Sequence, residues 1–316
     1  MSLVVPKIEM RRDNAVISGI SPFNLKETLE SGQAFRWDLE DGVFTGVVRG
    51  RVIRAAQEGD SLVLIKPGSE EVIHLATDYF SLDVDQADIE ERLRSMDPTL
   101  DSAVRSFTGL RLLRQEPWEC LVSFILSARN AIPLIRRAVE RIARAYGDPI
   151  LQENDDGLPT HGGRGSGQTS YYSFPTPGRL ASADVLDLVR CGAGFRSQYV
   201  KAAAERVASG DIDLQALRSL GYEGAKERLM SLRGVGEKVA DCVLLFSLGF
   251  YEAFPIDVWM TRVMRYVYFG GSKVSAATIT QFARERFGEL AGYAQQYLFH
   301  YARRKLASEL RGLDLD

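Results

Sequence analysis

Sulfur and imidazole are scarce in this sequence, which holds three cysteines and three histidines. Cys120, Cys191 and Cys242 are far apart, odd in number and without a CxxC pair, which argues against a disulfide framework or a zinc module. A four-cysteine iron–sulfur cluster is excluded within one chain, since only three thiols exist. His74, His161 and His300 are equally dispersed, so neither a histidine metal centre nor a Ser/His/Asp triad offers a source of chemistry. No apolar run approaches the roughly 18 residues needed to span a bilayer. The opening stretch MSLVVPKIEMRRDNAV lacks the order of a secretory signal, in which basic residues precede a longer apolar segment. The expectation is a soluble, intracellular protein with no membrane partner.

A basic excess is also missing. The formal net charge is −3, which argues against a polyanion partner until its distribution is read. Residues 1–100 carry 11 basic and 18 acidic side chains, residues 101–150 carry 8 and 5, and residues 223–316 carry 13 and 11. The acidity is concentrated in the first third, so a face for a polyanion would be built from the later segments.

A chain of 316 residues, 45% of them hydrophobic, suggests two or three domains. In residues 1–100 the runs AFRWDL, GVFTGVVRG, RVIRAAQ and SLVLIK, separated by turn signals, predict an antiparallel sheet. SPFNLKETLESG predicts a helix capped by Asn24 and ended by Gly32, and DQADIEERLRSM another helix. From about residue 98 to 316 the apolar spacing turns helical, with Gly147 as a stop after AIPLIRRAVERIARAYG. Residues 152–170, almost without apolar side chains and rich in Gly, predict an exposed insertion. The fold class expected is therefore α+β: an antiparallel β-rich N-terminal domain over 1–100 and a two-lobed, all-α region over 101–316.

The chemistry concentrates in LRGVGEKVADCVLLFSLG and the FPIDVWM that follows. One helix stops near Arg233, Gly234 and Gly236 permit a tight turn with positive φ, and a second helix starts at Glu237, which is a helix-hairpin-helix pattern over about 223–249. Free N–H groups at such a turn can hold a phosphate without reading sequence. Lys238 falls in the first turn of a helix of otherwise apolar character, where the helix dipole and desolvation favour a neutral, nucleophilic amine. Alone it would read as a lysine snorkelling to solvent. Nineteen residues later Asp257 stands as a natural N-cap, and a carboxylate there can also stabilise positive charge developing on a sugar.

These motifs resemble the helix-hairpin-helix and Gly/Pro-Asp signature of the DNA glycosylase superfamily, and within it the 8-oxoguanine DNA glycosylase type. The resemblance extends in order through SGQAFRW, CLVSFILSARN, CGAGFRSQYV and AGYAQQYLF. It implies a bifunctional enzyme of base excision repair. In that reading Lys238 attacks C1′ of a flipped nucleotide and forms an imine that undergoes β-elimination, with Asp257 assisting. It implies that the Gly32 carbonyl accepts from N7–H of 8-oxoguanine, that Cys242 and Phe299 sandwich the base, that Gln295 meets its Watson–Crick edge, and that Phe246 and Pro255 shape the pocket. It implies DNA contacts at Arg129, Asn130, Phe195, Arg196, Gly234, Val235, Gly236 and Trp259. Arg129 and Leu134 stand where eukaryotic relatives have the asparagine and arginine that contact the opposite cytosine; Phe195, Phe246 and Trp259 replace a tyrosine, a methionine and a histidine. The partner implied is double-stranded DNA containing a damaged purine, in a nucleoid or nucleus, met by a monomer. No redox cofactor or catalytic metal is implied, although relatives leave room for a structural cation on hairpin carbonyls. The alternatives are a glycosylase for another damaged base and a noncatalytic helix-hairpin-helix DNA-binding protein.

Overall fold

The structure, a computed structural model, describes residues 3–153, 159–160 and 171–311. Its N-terminal sheet has strands β1 (Lys7–Arg11), β2 (Asn14–Ser18), β3 (Trp37–Glu40), β4 (Val43–Val48), β5 (Arg51–Glu58) and β6 (Ser61–Leu64). They run antiparallel in the order β1-β2-β6-β5-β4-β3. The four strands from Trp37 onward match the expected runs. β1 and β2 are additional: β1 is a fully exposed edge strand, so KIEMR carries no inward apolar face from which to read it.

Fifteen α-helices follow or interrupt the sheet among the described residues. The first six are α1 (Leu25–Glu30), α2 (Glu70–Tyr79), α3 (Gln86–Met96), α4 (Pro98–Ser106), α5 (Pro117–Ser127) and α6 (Ile132–Tyr146). The rest are α7 (Pro177–Ala181), α8 (Val185–Leu188), α9 (Ser197–Ala208), α10 (Gly221–Met230), α11 (Glu237–Val243), α12 (Val258–Tyr268), α13 (Ala276–Phe287), α14 (Ala291–Arg304) and α15 (Ala307–Arg311). The α+β class is as expected, with α1 inserted between strands of the sheet and the succession of helices starting at Glu70. Most of the predicted 152–170 insertion lies outside the described residues; inside it, Gln152–Glu153 pairs with Pro159–Thr160. No helix among the described residues is long and apolar enough to cross a membrane.

Local chemistry sets the element ends. The Asn24 side chain accepts Glu27 N–H at 3.0 Å and caps α1, and Gly32 then reverses the chain at φ +89°. Gly147 does end α6, for a reason other than a left-handed turn. Its φ is −84°, but a Cβ there would lie 1.9 Å from the Ser173 carbonyl oxygen, so the close pass of the chain just after the Tyr171–Tyr172 strand requires glycine.

Two apolar cores result. One, under the sheet, gathers residues from Ala15 to Leu82 and takes back Leu113; the other gathers the helices from Val84 to Leu310 and takes in Phe35. The two are stitched together at the segment Ser31–Trp37. The Gln33 side chain is fully buried and fully used: its amide nitrogen donates to Arg111 O at 2.8 Å and Thr28 O at 3.0 Å, and its oxygen accepts Leu113 N–H at 2.9 Å. Its own carbonyl accepts from Gln115 Nε2 at 2.7 Å. A buried amide with every group satisfied fixes one geometry, because any slip leaves donors unpaired in a low-dielectric interior.

Arg36, three residues on, extends the seam. Its guanidinium donates to Tyr172 O at 2.5 Å and lies 3.7 Å from both Glu119 of α5 and Glu140 of α6. Burial raises the Glu119 carboxyl to about 7, against the pull of Arg36. A carboxyl whose folded pKa exceeds its unfolded value of 4.5 stabilises the fold below that value and loses the contribution as pH rises through about 7. Thermal unfolding followed from pH 5 to pH 8 should therefore show wild-type stability declining by up to about 3 kcal/mol from this group. Glu119→Gln should show a flatter profile and become the more stable form at pH 8.

Candidate active site

The hairpin is built by α10, the turn 231–236 and α11. α10 ends at Met230, three residues before the expected stop. Of the two turn glycines only Gly234 is left-handed, at φ +85°, and a Cβ there would meet the Tyr199 ring at 2.3 Å. This corrects the expectation for Gly236, which is the extended N-cap of α11 at φ −96° with nothing near its Cβ position. Val235 is buried between them and donates its N–H to Leu232 O at 3.1 Å. The amides of Gly236, Glu237 and Lys238 find no backbone acceptor among the described residues, which leaves them available to an anion. Behind the turn, Lys226 of α10 and Asp241 of α11 form a buried ion pair at 3.0 Å, and Tyr222 OH donates to the same carboxylate at 2.7 Å, fixing the helices of the hairpin. The turn contributes no carboxylate, so a structural cation there would rest on main-chain carbonyls, of which that of Leu232 is already an acceptor.

Lys238, Cys242 and Phe246 sit at i, i+4 and i+8 on α11 and its continuation as one π-helical turn over Leu244–Leu248, so they form one stripe. That stripe faces a cleft of about 560 Å³, partly open to solvent. The Lys238 ammonium donates to Ser127 Oγ at 2.8 Å and stands 5.0 Å from the Phe124 ring centroid. The lysine is half-buried, so the desolvation expected from its apolar helix is partial. Burial pushes the Cys242 thiol up to about 12, with Lys238 opposing the shift, which leaves a neutral thiol as a cleft wall.

Asp257 lines the same cleft and caps α12, Oδ1 accepting Met260 N–H at 2.8 Å. The other walls come from segments remote in sequence. Gly32 arrives from the Gln33 seam, and Pro255 from the stretch before α12. Gln295, Gln296 and Phe299 arrive from α14. Gln295 Nε2 donates to Pro255 O at 3.2 Å, while its Oε1 is shielded and has no partner among the described residues. Gln296 donates to Ser31 O at 3.3 Å and so ties α14 to the Gly32 loop. Among the described residues no group of three or more His, Cys, Asp or Glu is placed to hold a metal ion.

All eight residues expected at the catalytic and base-binding positions thus meet in one cleft: Lys238, Asp257, Gly32, Cys242, Phe246, Pro255, Gln295 and Phe299. The expected DNA contacts are more scattered. Asn130 lines the cleft, and Arg129 beside it is exposed at φ +50°. Phe195 projects at 60% exposure, whereas Arg196 is only 7% exposed. The Arg196 guanidinium donates to Ala128 O at 2.7 Å and Arg129 O at 3.1 Å and stacks under the Phe195 ring at 4.3 Å, so it braces the 128–129 loop and the projecting ring. Trp259 is half-buried outside the cleft wall, with Arg262 at 5.8 Å from its ring. Leu134 is half exposed. Sequence reading passed over Phe35, Phe124, Ser127, Ile132, Ile135 and Gln296 as walls. For Phe124 and Ser127 the signal was there, since i and i+3 on α5 share a face.

Comparison with known proteins agrees with this geometry. Residues 122–289 match the HhH-GPD superfamily base excision DNA repair protein family, and residues 15–121 match the 8-oxoguanine DNA glycosylase N-terminal domain. The chain is 31% identical to a probable N-glycosylase/DNA lyase of Methanothermobacter thermautotrophicus, over 90% of this chain and 95% of the relative. It superposes on MBOgg1 in complex with a low-affinity DNA ligand with a TM-score of 0.86 at 40% identity, covering 95% of this chain and 99% of that one. It superposes equally, at 0.86 and 34% identity, on Clostridium acetobutylicum 8-oxoguanine glycosylase/lyase in complex with duplex DNA, covering 97% of this chain and all of that one. The protein belongs to the HhH-GPD superfamily of base excision DNA repair proteins. Within that superfamily its N-terminal region is the one found in 8-oxoguanine DNA glycosylases.

The two turn glycines should separate in a urea titration. Gly234→Ala, forced into a left-handed conformation and against Tyr199, should lose about 1–3 kcal/mol of stability. Gly236→Ala, with ordinary φ and open space, should lose less, no more than about 1 kcal/mol, the cost of alanine at an N-cap.

Proposed function

We propose that this protein removes 8-oxoguanine from double-stranded DNA and then cleaves the abasic strand, with Lys238 as nucleophile and Asp257 as its carboxylate partner. The observation that carries this reading is the convergence of an amine, a carboxylate and a base-sized set of walls on one cleft, from five segments of the chain. The chemistry needs no redox cofactor or catalytic metal.

The lesion nucleotide leaves the stack at a cost of a few kcal/mol and enters the cleft. Phe299 and Cys242 take its two faces. The Gly32 carbonyl accepts N7–H, a donor that guanine lacks, so one hydrogen bond separates lesion from normal base. Gln295 Oε1, shielded and unpaired among the described residues, is the acceptor left for donors on the base edge. Once Nζ of Lys238 has given up a proton, its lone pair bonds to C1′ as the N9–C1′ bond breaks, and that electron pair departs on N9 of the base, which takes up a proton. Asp257 stabilises the positive character of the sugar. Cleavage of C1′–O4′ then opens the ring to an imine between Nζ and C1′, with a proton passing from Nζ to O4′. Loss of a proton from C2′ drives β-elimination, in which the C3′–O3′ bond breaks and the 3′ phosphate leaves with the electron pair. Phe195 fills the gap in the duplex, Arg196 supports it, and the hairpin turn at Gly234, Val235 and Gly236, through the amides from Gly236 onward, holds the phosphate side with Trp259. Arg129 and Asn130 face the opposite base. In this reading the protein acts as a monomer on double-stranded DNA, in nucleoid or nucleus.

The test is incubation with duplexes carrying one 8-oxoguanine opposite each normal base in turn, in the presence of sodium borohydride. An adduct that needs both the lesion and Lys238, and is absent with Lys238→Gln, supports the proposal; DNA binding with neither adduct nor free base overturns it. Asp257→Asn keeps an N-cap of equal quality, so its unfolding midpoint should hold while base release slows about a hundredfold or more in single-turnover assays. An unchanged rate would reduce Asp257 to a helix cap.

A further inference from the structure

Successive cations on α14 meet different fates. His300 lies 2.6 Å from Glu27 and Arg304 lies 2.7 Å from Glu30, so both are matched by carboxylates of α1. Arg303, between them, has no carboxylate and no hydrogen-bond acceptor among the described residues, although its Nη1 is fully shielded. Burial lowers its pKa, as does Arg304, and only the field of Asp257 opposes them.

The place of this guanidinium is specific. It stands 5.2 Å from the centroid of the Phe299 ring, and Nη1 is 3.1 Å from where a Cβ on Gly32 would lie. The same point is 3.2 Å from Ile132 and 3.4 Å from Phe299, both cleft walls. Arg303 therefore packs directly against the Gly32 and Phe299 walls, next to the residues that line the cleft. A shielded nitrogen without an acceptor is costly, and native proteins keep few such groups unless a ligand completes them. With Lys238, which lines the cleft, it is a second cation in the field of Asp257, the one carboxylate of that lining among the described residues.

We propose that Arg303 is a substrate-contacting residue that donates to an oxygen of the extruded nucleotide, either its phosphate or a carbonyl of its base. This rests on the glycosylase reading above. A guanidinium suits both acceptors, presenting paired donors in a plane. Its stacking on Phe299 would couple that contact to the ring that covers the base.

Arg303→Met keeps a stem to pack on Phe299 and removes the donors. Binding would be measured on two duplexes, one with 8-oxoguanine and one with a tetrahydrofuran abasic analogue that retains the phosphate and lacks the base. Single-turnover rates on the first would separate binding from chemistry. A loss of about ten- to a hundredfold in affinity on both duplexes assigns the contact to phosphate. A like loss confined to the 8-oxoguanine duplex, in KM or in rate, assigns it to the base. Affinity and rate unchanged on both, with wild-type unfolding, would overturn the inference and leave the glycosylase reading intact. Wild-type protein that forms no borohydride adduct would overturn both. Should Arg303→Met not fold, Arg303→Leu carries the same test.

Discussion

The molecule depends on a buried amide. Gln33 holds the strand-bearing N-terminal region and the helical region in one register by satisfying groups at Thr28, Arg111, Leu113 and Gln115. Its neighbour Gly32 is the only cleft wall that precedes the exchange of core residues between the two parts, with Phe35 crossing one way and Leu113 the other. Gly32, proposed to read the base through its carbonyl, is thus carried with one core while Lys238 and Asp257 are carried with the other. Hydrophobic burial supplies most of the folding drive but is tolerant of small slips. A fully paired amide is not, which is why a hydrogen-bonded seam rather than more apolar area sits where two parts of one active site meet.

The electrostatic design follows from the same geometry. Several cations at the periphery are neutralised locally, as Arg304 is by Glu30 and Arg284 by Glu223. Those at the cleft are not: Lys238 makes its hydrogen bond to a hydroxyl, Ser127, and Arg303 rests on a ring. A net charge of −3 is therefore no obstacle to a DNA partner, because the placement of unneutralised cations matters more than their sum.

Much of this was legible in the sequence where local spacing and tertiary role coincide. Asn24 caps and Gly32 ends one helix, and the spacing of Lys238, Cys242 and Phe246 already sets one face. Asp257 follows a proline at a helix start, where a cap is expected. What stayed hidden depends on partners distant in sequence. Arg196 belongs to a motif that suggests DNA contact, yet its guanidinium is spent on carbonyls 67 and 68 residues away. Gly234 needs glycine because of Tyr199, and Gly147 because of Ser173, neither of which adjoins it. Gln33 and Gln296 read as ordinary polar residues until their buried acceptors are known. Edge strand β1 shows no alternation because neither of its faces is buried.

The central claim is that one amine, at residue 238, becomes bonded to the sugar. The most direct measurement is proteolysis and mass spectrometry of the borohydride-reduced adduct formed on 8-oxoguanine DNA. A nucleotide remnant on the peptide containing Lys238 is the expected result. A remnant on any other lysine or on the amino terminus, with Lys238 unmodified, would contradict it.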